Sequence, residues 1–174
     1  MNHQRPETPP ASPWLQRVLP ASFAGFLLGI LATVIAAWIL APGMMLRVHP
    51  SRYADVEETC TVLQTAIEAR GWQCPAVRNM NAAMAGQGVK FDRPVRIVEL
   101  CKAPYARSVL TTNPEVSTLM PCAFGVYQGD DGQVYVAALN TGLLGRIFGG
   151  NVAEVMGRQV GADEQAILEA VIRP

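Results

Sequence analysis

Hydrophobic and polar positions divide this chain into one uninterrupted apolar run and a longer segment of mixed periodicity. No charged side chain occurs between residues 18 and 46, and inside this interval "ASFAGFLLGILATVIAAWILA" covers Ala21–Ala41. A bilayer is crossed by roughly 20 apolar residues in a helix. The pattern therefore predicts a short N-terminal stub (residues 1–20), a transmembrane helix (residues 21–41) and a folded domain (residues 46–174).

A cleaved signal peptide is the competing interpretation of the apolar run. Signal peptides have a shorter apolar core, about 7–15 residues. A cut after Ala41 would also require a small side chain where Ile39 stands, so the cleavage site is poor. Arg5 and Arg17 precede the run while Arg47 and Arg52 follow it, so the positive-inside comparison does not decide orientation. The short, proline-rich leader suits a cytoplasmic stub. We therefore expect an anchor in the bacterial inner (cell) membrane with the folded domain facing the periplasm.

Periodicity in the remaining segment predicts alternating helices and strands. "RYADVEETCTVLQTAIEARGW" has apolar residues at helical spacing after a capping pair, Asp55 and Glu58, and ends at Gly71. "PVRIVEL" reads as a strand, and "AFGVYQGDDGQVYVAAL" predicts a hairpin over Ala123–Leu139 that turns at "GDDG". "APYARSVLTTNP" predicts a short helix between them, and "NVAEVMGRQVGADEQAILEAVI" predicts one or two more. This order predicts an α+β fold, an antiparallel sheet packed by helices on one face.

Composition excludes some classes of function. The formal net charge is zero and 16% of residues are charged, so no basic face for nucleic acid is expected. The two histidines, His3 and His49, do not provide the base and orienting group of an independent hydrolase. The sequence favours a binding protein over an enzyme, and no cofactor is expected. Within the apolar run, Ala21, Gly25 and Gly29 form a small-residue stripe that predicts a homodimer within the membrane.

Cys101 and Cys122 are the candidate reactive thiols. Cys101 closes one predicted strand and Cys122 opens the next, so antiparallel pairing of these strands would bring the thiols together. Three interpretations remain open for the pair: a disulfide, two buried thiols, or a redox or metal site. Cys60, on the apolar stripe of its predicted helix, is expected in the core.

Metal and redox chemistry at this pair have few supporting residues. Cys101, Met120 and Cys122 would form a soft set suited to Cu(I), whereas four-cysteine zinc spacing is absent from the sequence. The sequence also has no CxxC motif, so a reactive thiolate would need a nearby positive group such as Lys102 or Arg146.

The glycine-rich stretch "NTGLLGRIFGG", residues 140–150, is a second candidate site. Backbone amides in such a stretch can bind an anion, and Arg146 would add charge. The ligand-binding candidates are Asn140, Gly142, Gly145, Arg146, Gly149 and Gly150. The alternative is a tight loop that joins the hairpin to the following helix.

Four segments carry a resemblance to a known family. They are "HPSRYADVEETCTVLQTAIEARGW", "VRIVELCKAPYA", "LMPCAFGVYQGDDGQVYVAALNTGLLGRIFGG" and "VAEVMG". Together they resemble a membrane-anchored branch of the family known as domain of unknown function 302 (DUF302). The matching positions are His49, Pro50, Ser51, Glu99, Cys101, Pro121, Cys122, Asn140, Gly142, Gly145, Phe148, Gly149 and Gly150.

The resemblance implies a compact, self-associating α+β fold but no assigned reaction. Ala123 departs from the family pattern, in which a basic residue follows the cysteine. We expect the domain to bind or sense a small ligand or partner near Cys101 and Cys122. The alternatives are a thiol or persulfide carrier, a soft-metal binding protein, and a structural subunit of a membrane complex.

Overall fold

The computed structural model describes residues 13–173, except for the side chains of residues 13–24, 38 and 40–42. The chain divides into two compact units, Met1–Pro42 and Gly43–Pro174. Helix α1 (Pro13–Met45) contains the whole of residues 21–41, so the predicted helix is confirmed. Within the described residues, no helix combines the length and the apolar character that a membrane span requires. The transmembrane assignment is therefore not confirmed.

Two predictions for the N-terminal region concern residues that lie partly outside the described part of the chain. Residues 1–12 of the predicted stub are not described, and residues 13–20 belong to α1. The side chain of Ala21, the first member of the small-residue stripe, is also not described. Among the described side chains of α1, large apolar residues are exposed. They are Phe26, Leu27, Leu28, Ile30, Leu31, Val34, Ile35, Ile39, Met44 and Met45.

The second unit is the predicted α+β domain. Its strands are β1 (Leu46–Pro50), β2 (Val77–Asn79), β3 (Val95–Leu100), β4 (Cys122–Gln128) and β5 (Val134–Leu139). Its helices are α2 (Val56–Ala69), α3 (Met80–Ala85), α4 (Ala103–Thr112), a 3-10 helix (Pro114–Leu119), α5 (Thr141–Phe148), α6 (Gly150–Val152), a π-helix (Ala153–Val160) and α7 (Gly161–Leu168). The α+β class is confirmed.

All five strands form one antiparallel sheet in the order β1-β5-β4-β3-β2. The predicted hairpin is β4–β5, in which the Gly129 amide donates to the Gln133 carbonyl at 2.8 Å. Gly132 adopts a positive φ of 77° in this turn, a conformation that glycine reaches without strain. The predicted hairpin is therefore confirmed. Alternating valines place one face of β5 toward the core, and this fixes its register with β4.

Helices cover one face of this sheet. Along β5, Val134, Val136 and Ala138 are buried, while the residues between them are partly exposed. Leu63 and Ile67 of α2 are fully buried against this face. The cap of α2 forms as the sequence predicts, since the Glu58 amide donates to Asp55 Oδ1 at 2.8 Å. A single apolar core thus lies between the sheet and the helices.

The glycine-rich segment differs from the loop interpretation because it is mostly helix α5. Its glycines are used for close helix packing. A Cβ on Gly145 would lie 2.8 Å from the Gly157 Cα and 3.0 Å from the Ala153 Cα, both in the final helical stretch. Only a residue without a Cβ allows the two backbones to approach this closely.

Candidate functional site

The antiparallel pairing of β3 and β4 brings Cys101 and Cys122 to the same end of the sheet. Leu100 is the register partner of Cys122, and Cys101 follows directly. Cys101 exchanges two backbone hydrogen bonds with Gln73, each 2.9 Å, which extend the sheet edge beyond β3. The antiparallel pairing that the sequence required for bringing the two thiols together is therefore present. Both cysteines are free thiols in this structure, so the disulfide interpretation is not realised.

Cys122 lies where two cavities meet, and we call the combined space the thiol cleft. The inner cavity is small, about 30 Å³, and is lined by Trp72, Leu100, Cys101, Lys102, Tyr105, Ala106, Met120, Pro121, Cys122, Met156 and Val160. The outer cavity measures about 250 Å³ and is lined by Thr118, Leu119, Met120, Pro121, Cys122, Ala123, Leu139, Thr141, Met156 and Glu164. Apart from a few polar groups, the walls consist of apolar, aromatic and sulfur-containing side chains.

Burial controls the chemistry of the Cys122 thiol. Loss of solvent around the side chain raises its pKa to about 12, and the negative charge of Glu164 adds to the increase. A thiol with this pKa is neutral at physiological pH. Cys122 is consequently not a preformed thiolate of the kind that a low-pKa redox cysteine would provide.

Glu164 is the site residue that sequence reasoning missed. Only 7% of this residue is exposed, and Thr141 Oγ1 donates to its Oε2 at 3.1 Å. Burial raises the pKa of the Glu164 carboxyl to about 7, against the lowering effects of Thr141, Arg47 and Cys122. The available signal was its position between Val160 and Ile167 on the apolar stripe of the last helix, where a carboxylate is unusual.

A third cavity lies on the other side of Glu164. It measures about 390 Å³ and is lined by Arg47, His49, Ala138, Leu139, Gly161, Glu164, Gln165, Leu168, Glu169 and Ile172. Glu164 and Leu139 are common to this cavity and the thiol cleft. The buried carboxyl therefore lines both the cleft that contains Cys122 and a cavity with Arg47, His49 and Glu169 in its wall, which we call the polar cavity.

An ion pair lies beside Trp72 and Tyr105, which form what we call the aromatic wall of the thiol cleft. Lys102 Nζ and Trp72 Nε1 both donate to Asp163 Oδ2, each at 2.9 Å. Lys102 Nζ also lies 4.8 Å from the centroid of the Tyr105 ring, within the range of a cation–π contact. The positive charge that the sequence suggested for thiolate activation is thus already paired with Asp163.

The π-helix positions Met156 in both cavities of the cleft. A π-helix is wider than an α-helix and occurs frequently at functional sites. The same segment carries Gly157, whose close approach to Gly145 anchors it to α5. Local helix geometry and glycine packing therefore hold the methionine against Cys122.

The six glycine-segment candidates have separate positions. Asn140 caps α5 by accepting from the Leu143 amide at 3.2 Å, and it also accepts from Arg47 Nη2 at 3.0 Å. Gly149 and Gly150 form the turn after α5 with φ values of 68° and 50°. A groove of about 380 Å³, which we call the α5 groove, is lined by Gly142, Gly145, Arg146 and Gly150. Asn140 therefore caps a helix and Gly145 allows close helix packing. Ligand binding in this groove stays a prediction.

The suggested soft-metal residues share the thiol cleft. Cys101, Met120 and Cys122 all line the inner cavity. In the described part of the chain, no group of three or more His, Cys, Asp or Glu side chains is arranged to hold a metal ion. Metal binding by the two thiols and Met120 stays a prediction.

Comparisons with known proteins place the fold but not a reaction. The family described as "Domain of unknown function DUF302" matches residues 48–171. No curated protein matches the chain. The crystal structure of the uncharacterized conserved protein DUF302 from Bacillus stearothermophilus is similar, with a TM-score of 0.64 and 20% identity over 73% of this chain and 98% of that one. Because the family match extends over most of the chain, this protein belongs to the DUF302 family.

Proposed function

We propose that the domain binds a small, largely apolar ligand in the thiol cleft. The observation that carries this proposal is the convergence of Cys101, Cys122, Met120 and Met156 on one cleft that also holds the buried carboxyl of Glu164. Ligand sites are commonly apolar concavities with a few placed polar groups and a titratable group of shifted pKa. The π-helix that presents Met156 adds a feature that is frequent at such sites.

The size and lining of the cleft limit the ligand. The outer cavity, at about 250 Å³, accepts a molecule of only a few non-hydrogen atoms in contact with Cys122. Thioether and thiol groups are polarisable and pack well against sulfur or aromatic atoms. A small organosulfur compound therefore fits the walls better than a charged metabolite does.

Titration with tetrahydrothiophene, a neutral thioether that a thiol does not attack, tests this proposal. The methyl signals of the methionines in the full chain would be followed by NMR. We expect saturable shifts at Met120 and Met156, which line the cleft, and none at Met84, which lies in α3. Equal or non-saturating shifts at all three methionines would contradict the proposal.

A filling variant and a matched control make the location specific. Met156→Phe places a larger side chain in the cleft and is expected to abolish the saturable shift at Met120. Met84→Phe makes the same chemical change outside the cleft and is expected to leave binding unchanged. Unfolding curves for both variants separate loss of binding from loss of fold.

We further propose that residues 21–41 anchor the domain to the inner membrane, with the domain on the periplasmic side. The support is the uncharged interval over residues 18–46 and the row of exposed large apolar side chains that includes Phe26, Leu31 and Ile35. A helix that is apolar on all sides requires an apolar environment. The protein should stay in the membrane pellet after alkaline carbonate extraction, and external protease should digest the domain in spheroplasts. Release by carbonate would contradict the anchor.

The other candidate functions remain predictions with weaker support. Cu(I) binding would use Cys101, Met120 and Cys122, and a dimer in the membrane would use Ala21, Gly25 and Gly29. A structural subunit would co-purify with other membrane proteins in fixed proportion. The presence of Cys122 and the buried Glu164 in the lining of one cavity favours one alternative, thiol chemistry, over these.

A further inference from the structure

The half-buried Cys122 thiol and the buried Glu164 carboxyl both line the outer cavity of the thiol cleft, and Glu164 also lines the polar cavity. We propose that Glu164 accepts the proton of Cys122 when a small, uncharged disulfide enters the cleft, so that Cys122 undergoes thiol–disulfide exchange. This inference rests on the proposed function, because it requires that the cleft admits a small ligand. It adds the class of ligand, the reacting atom and the residue that moves the proton.

Three elements hold the two groups in place. Cys122 begins β4 with its side chain on the same face as the buried Phe124. Glu164 projects from α7, and the hydroxyl of Thr141 at the start of α5 fixes its Oε2 at 3.1 Å. The interaction between the Cys122 thiol and the Glu164 carboxylate raises the pKa of the thiol and lowers that of the carboxyl. Because each element is packed in the core, the pair is preorganised.

The acid–base properties explain why this cysteine needs a partner. With a pKa of about 12, a fraction on the order of 10⁻⁵ of Cys122 is ionised at pH 7, too little for direct attack. Glu164, with a pKa of about 7, is about half ionised at that pH and is suited to act as a general base. Lys102, the positive group at the aromatic wall, is paired with Asp163 and does not take over the role of Glu164.

The walls select an uncharged ligand. Most of the lining, such as Trp72, Leu100 and Met156, offers no partner for a charge, and the cation in it, Lys102, is already paired with Asp163. An anionic disulfide would also face the carboxylate of Glu164. Small neutral disulfides satisfy both conditions and match the sulfur-rich lining.

The exchange balances without any further reactant. Cys122 Sγ attacks one sulfur of the disulfide, a new S–S bond forms and the original S–S bond breaks. The thiol proton passes to Glu164 and then to the departing thiolate, which leaves as a thiol. Cys122 is oxidised to a mixed disulfide, the departing sulfur is reduced, and Glu164 returns to the carboxylate.

Charged side chains in the polar cavity modify the effect of burial on Glu164. Arg47 of β1 lowers the pKa of the carboxyl, and His49 and Glu169 line the same polar cavity. Thr141 donates a hydrogen bond and carries no charge. The neighbouring Asp163 pairs with Lys102 on the opposite wall. Among these groups, Arg47 is the charge that favours the ionised form of Glu164, which the proton transfer requires.

Reaction of the full chain with dimethyl disulfide at pH 8, followed by mass mapping of the Cys122 peptide, tests the inference. Glu164→Gln is expected to slow modification of Cys122 at least about tenfold, since a general base commonly contributes 10²–10⁴-fold. Glu68→Gln makes the same chemical change at an exposed position of α2 that lines neither cavity, and it should leave the rate unchanged. A rate for Glu164→Gln equal to or above that of the wild type would overturn the inference. A purely electrostatic Glu164 predicts the faster rate, because removal of its charge lowers the pKa of the thiol.

The pH profile of the wild type provides a second test that does not depend on how the variant folds. The rate at Cys122 should rise through an inflection near pH 7, where Glu164 ionises, and Glu164→Asp should retain part of it. A profile that rises only with thiol ionisation would contradict the inference. Tetrahydrothiophene binding separates the two proposals. If the thioether binds and the inflection is absent, only the proton transfer is wrong, whereas failure to bind removes the proposed function as well.

Discussion

The thiol cleft and the α5 groove differ in how their sequence signals relate to structure. The groove contains the conspicuous glycines, and Gly145 is used to bring two helix backbones together. The cleft contains an ordinary "GADEQAIL" segment, yet it holds the buried carboxyl of Glu164 beside Cys122. A buried polar group is costly unless it is partnered or functional. Glu164 is therefore a stronger pointer to a site than the glycines are.

The stability cost of Glu164 is the largest effect that can sharpen this comparison. Its pKa rises from 4.5 to about 7 on folding, which corresponds to roughly 3 kcal/mol at about 1.4 kcal/mol per pKa unit. Between these pH values the folded state binds a proton that the unfolded state has released, so stability falls as pH rises. Above pH 7 the cost is fully present. We expect urea unfolding to show this loss between pH 5 and pH 8.

Glu164→Gln isolates this contribution from other titrating groups. The difference in free energy of unfolding between variant and wild type should favour the variant increasingly as pH rises toward 8. Glu68→Gln, an exposed change in α2, should give a flat difference. A flat difference for Glu164→Gln would mean that Glu164 is not a costly buried group, and the contrast between the two regions would fail.

Replacement of Gly145 by alanine tests the packing role of the groove. The added Cβ would lie 2.8 Å from the Gly157 Cα, so backbone must move. Overpacking of this kind costs about 1–3 kcal/mol, more than the roughly 1 kcal/mol that alanine gains over glycine in a helix. We expect a net loss of up to about 2 kcal/mol in urea unfolding. Gly142→Ala, whose Cβ would meet Asn140 Oδ1 at 3.5 Å, should be neutral or slightly stabilising.

The aromatic wall of the thiol cleft should show a smaller effect. Burial pushes the pKa of Asp163 up, but hydrogen bonds from Lys102 and Trp72 outweigh it and hold the pKa below its usual value. Asp163→Asn should cost about 1 kcal/mol at pH 7, as expected for one partly buried ion pair. The loss should shrink as the pH falls below 3.8, the ordinary pKa of this carboxyl, and disappear once the wild-type Asp163 is protonated as well. Asp92→Asn, in an exposed pair with Lys90, is the control and should be neutral.

The strands and the hairpin could be predicted because their signals are local. Alternating valines in β5, the "GDDG" turn and the Asp55 cap each act within a few residues. The sequence left the pairing of β3 with β4 as a condition for bringing Cys101 and Cys122 together, and the structure meets that condition.

Other features depend on contacts between distant segments. Helix α5 reads as a loop because its glycines disfavour helix in isolation, and packing of Gly145 on Gly157 offsets that preference. The short β2 exists only through its register with β3. Glu164 reads as a surface residue until α7 is placed over Cys122 and Thr141. Tertiary placement, rather than residue type, decides each of these.

The smallest expected effect concerns Arg146, the charge of the α5 groove. Its side chain is exposed, and the nearby Arg158 already pairs with Glu154. Surface substitutions of this kind change stability by less than about 0.5 kcal/mol. Arg146→Gln should therefore leave the unfolding curve unchanged, and inorganic phosphate should stabilise neither protein. If phosphate raises the stability of the wild type and Arg146→Gln removes that gain, the groove binds anions. The glycines of α5 would then support a ligand site as well as helix packing, and the domain would have two sites in place of one.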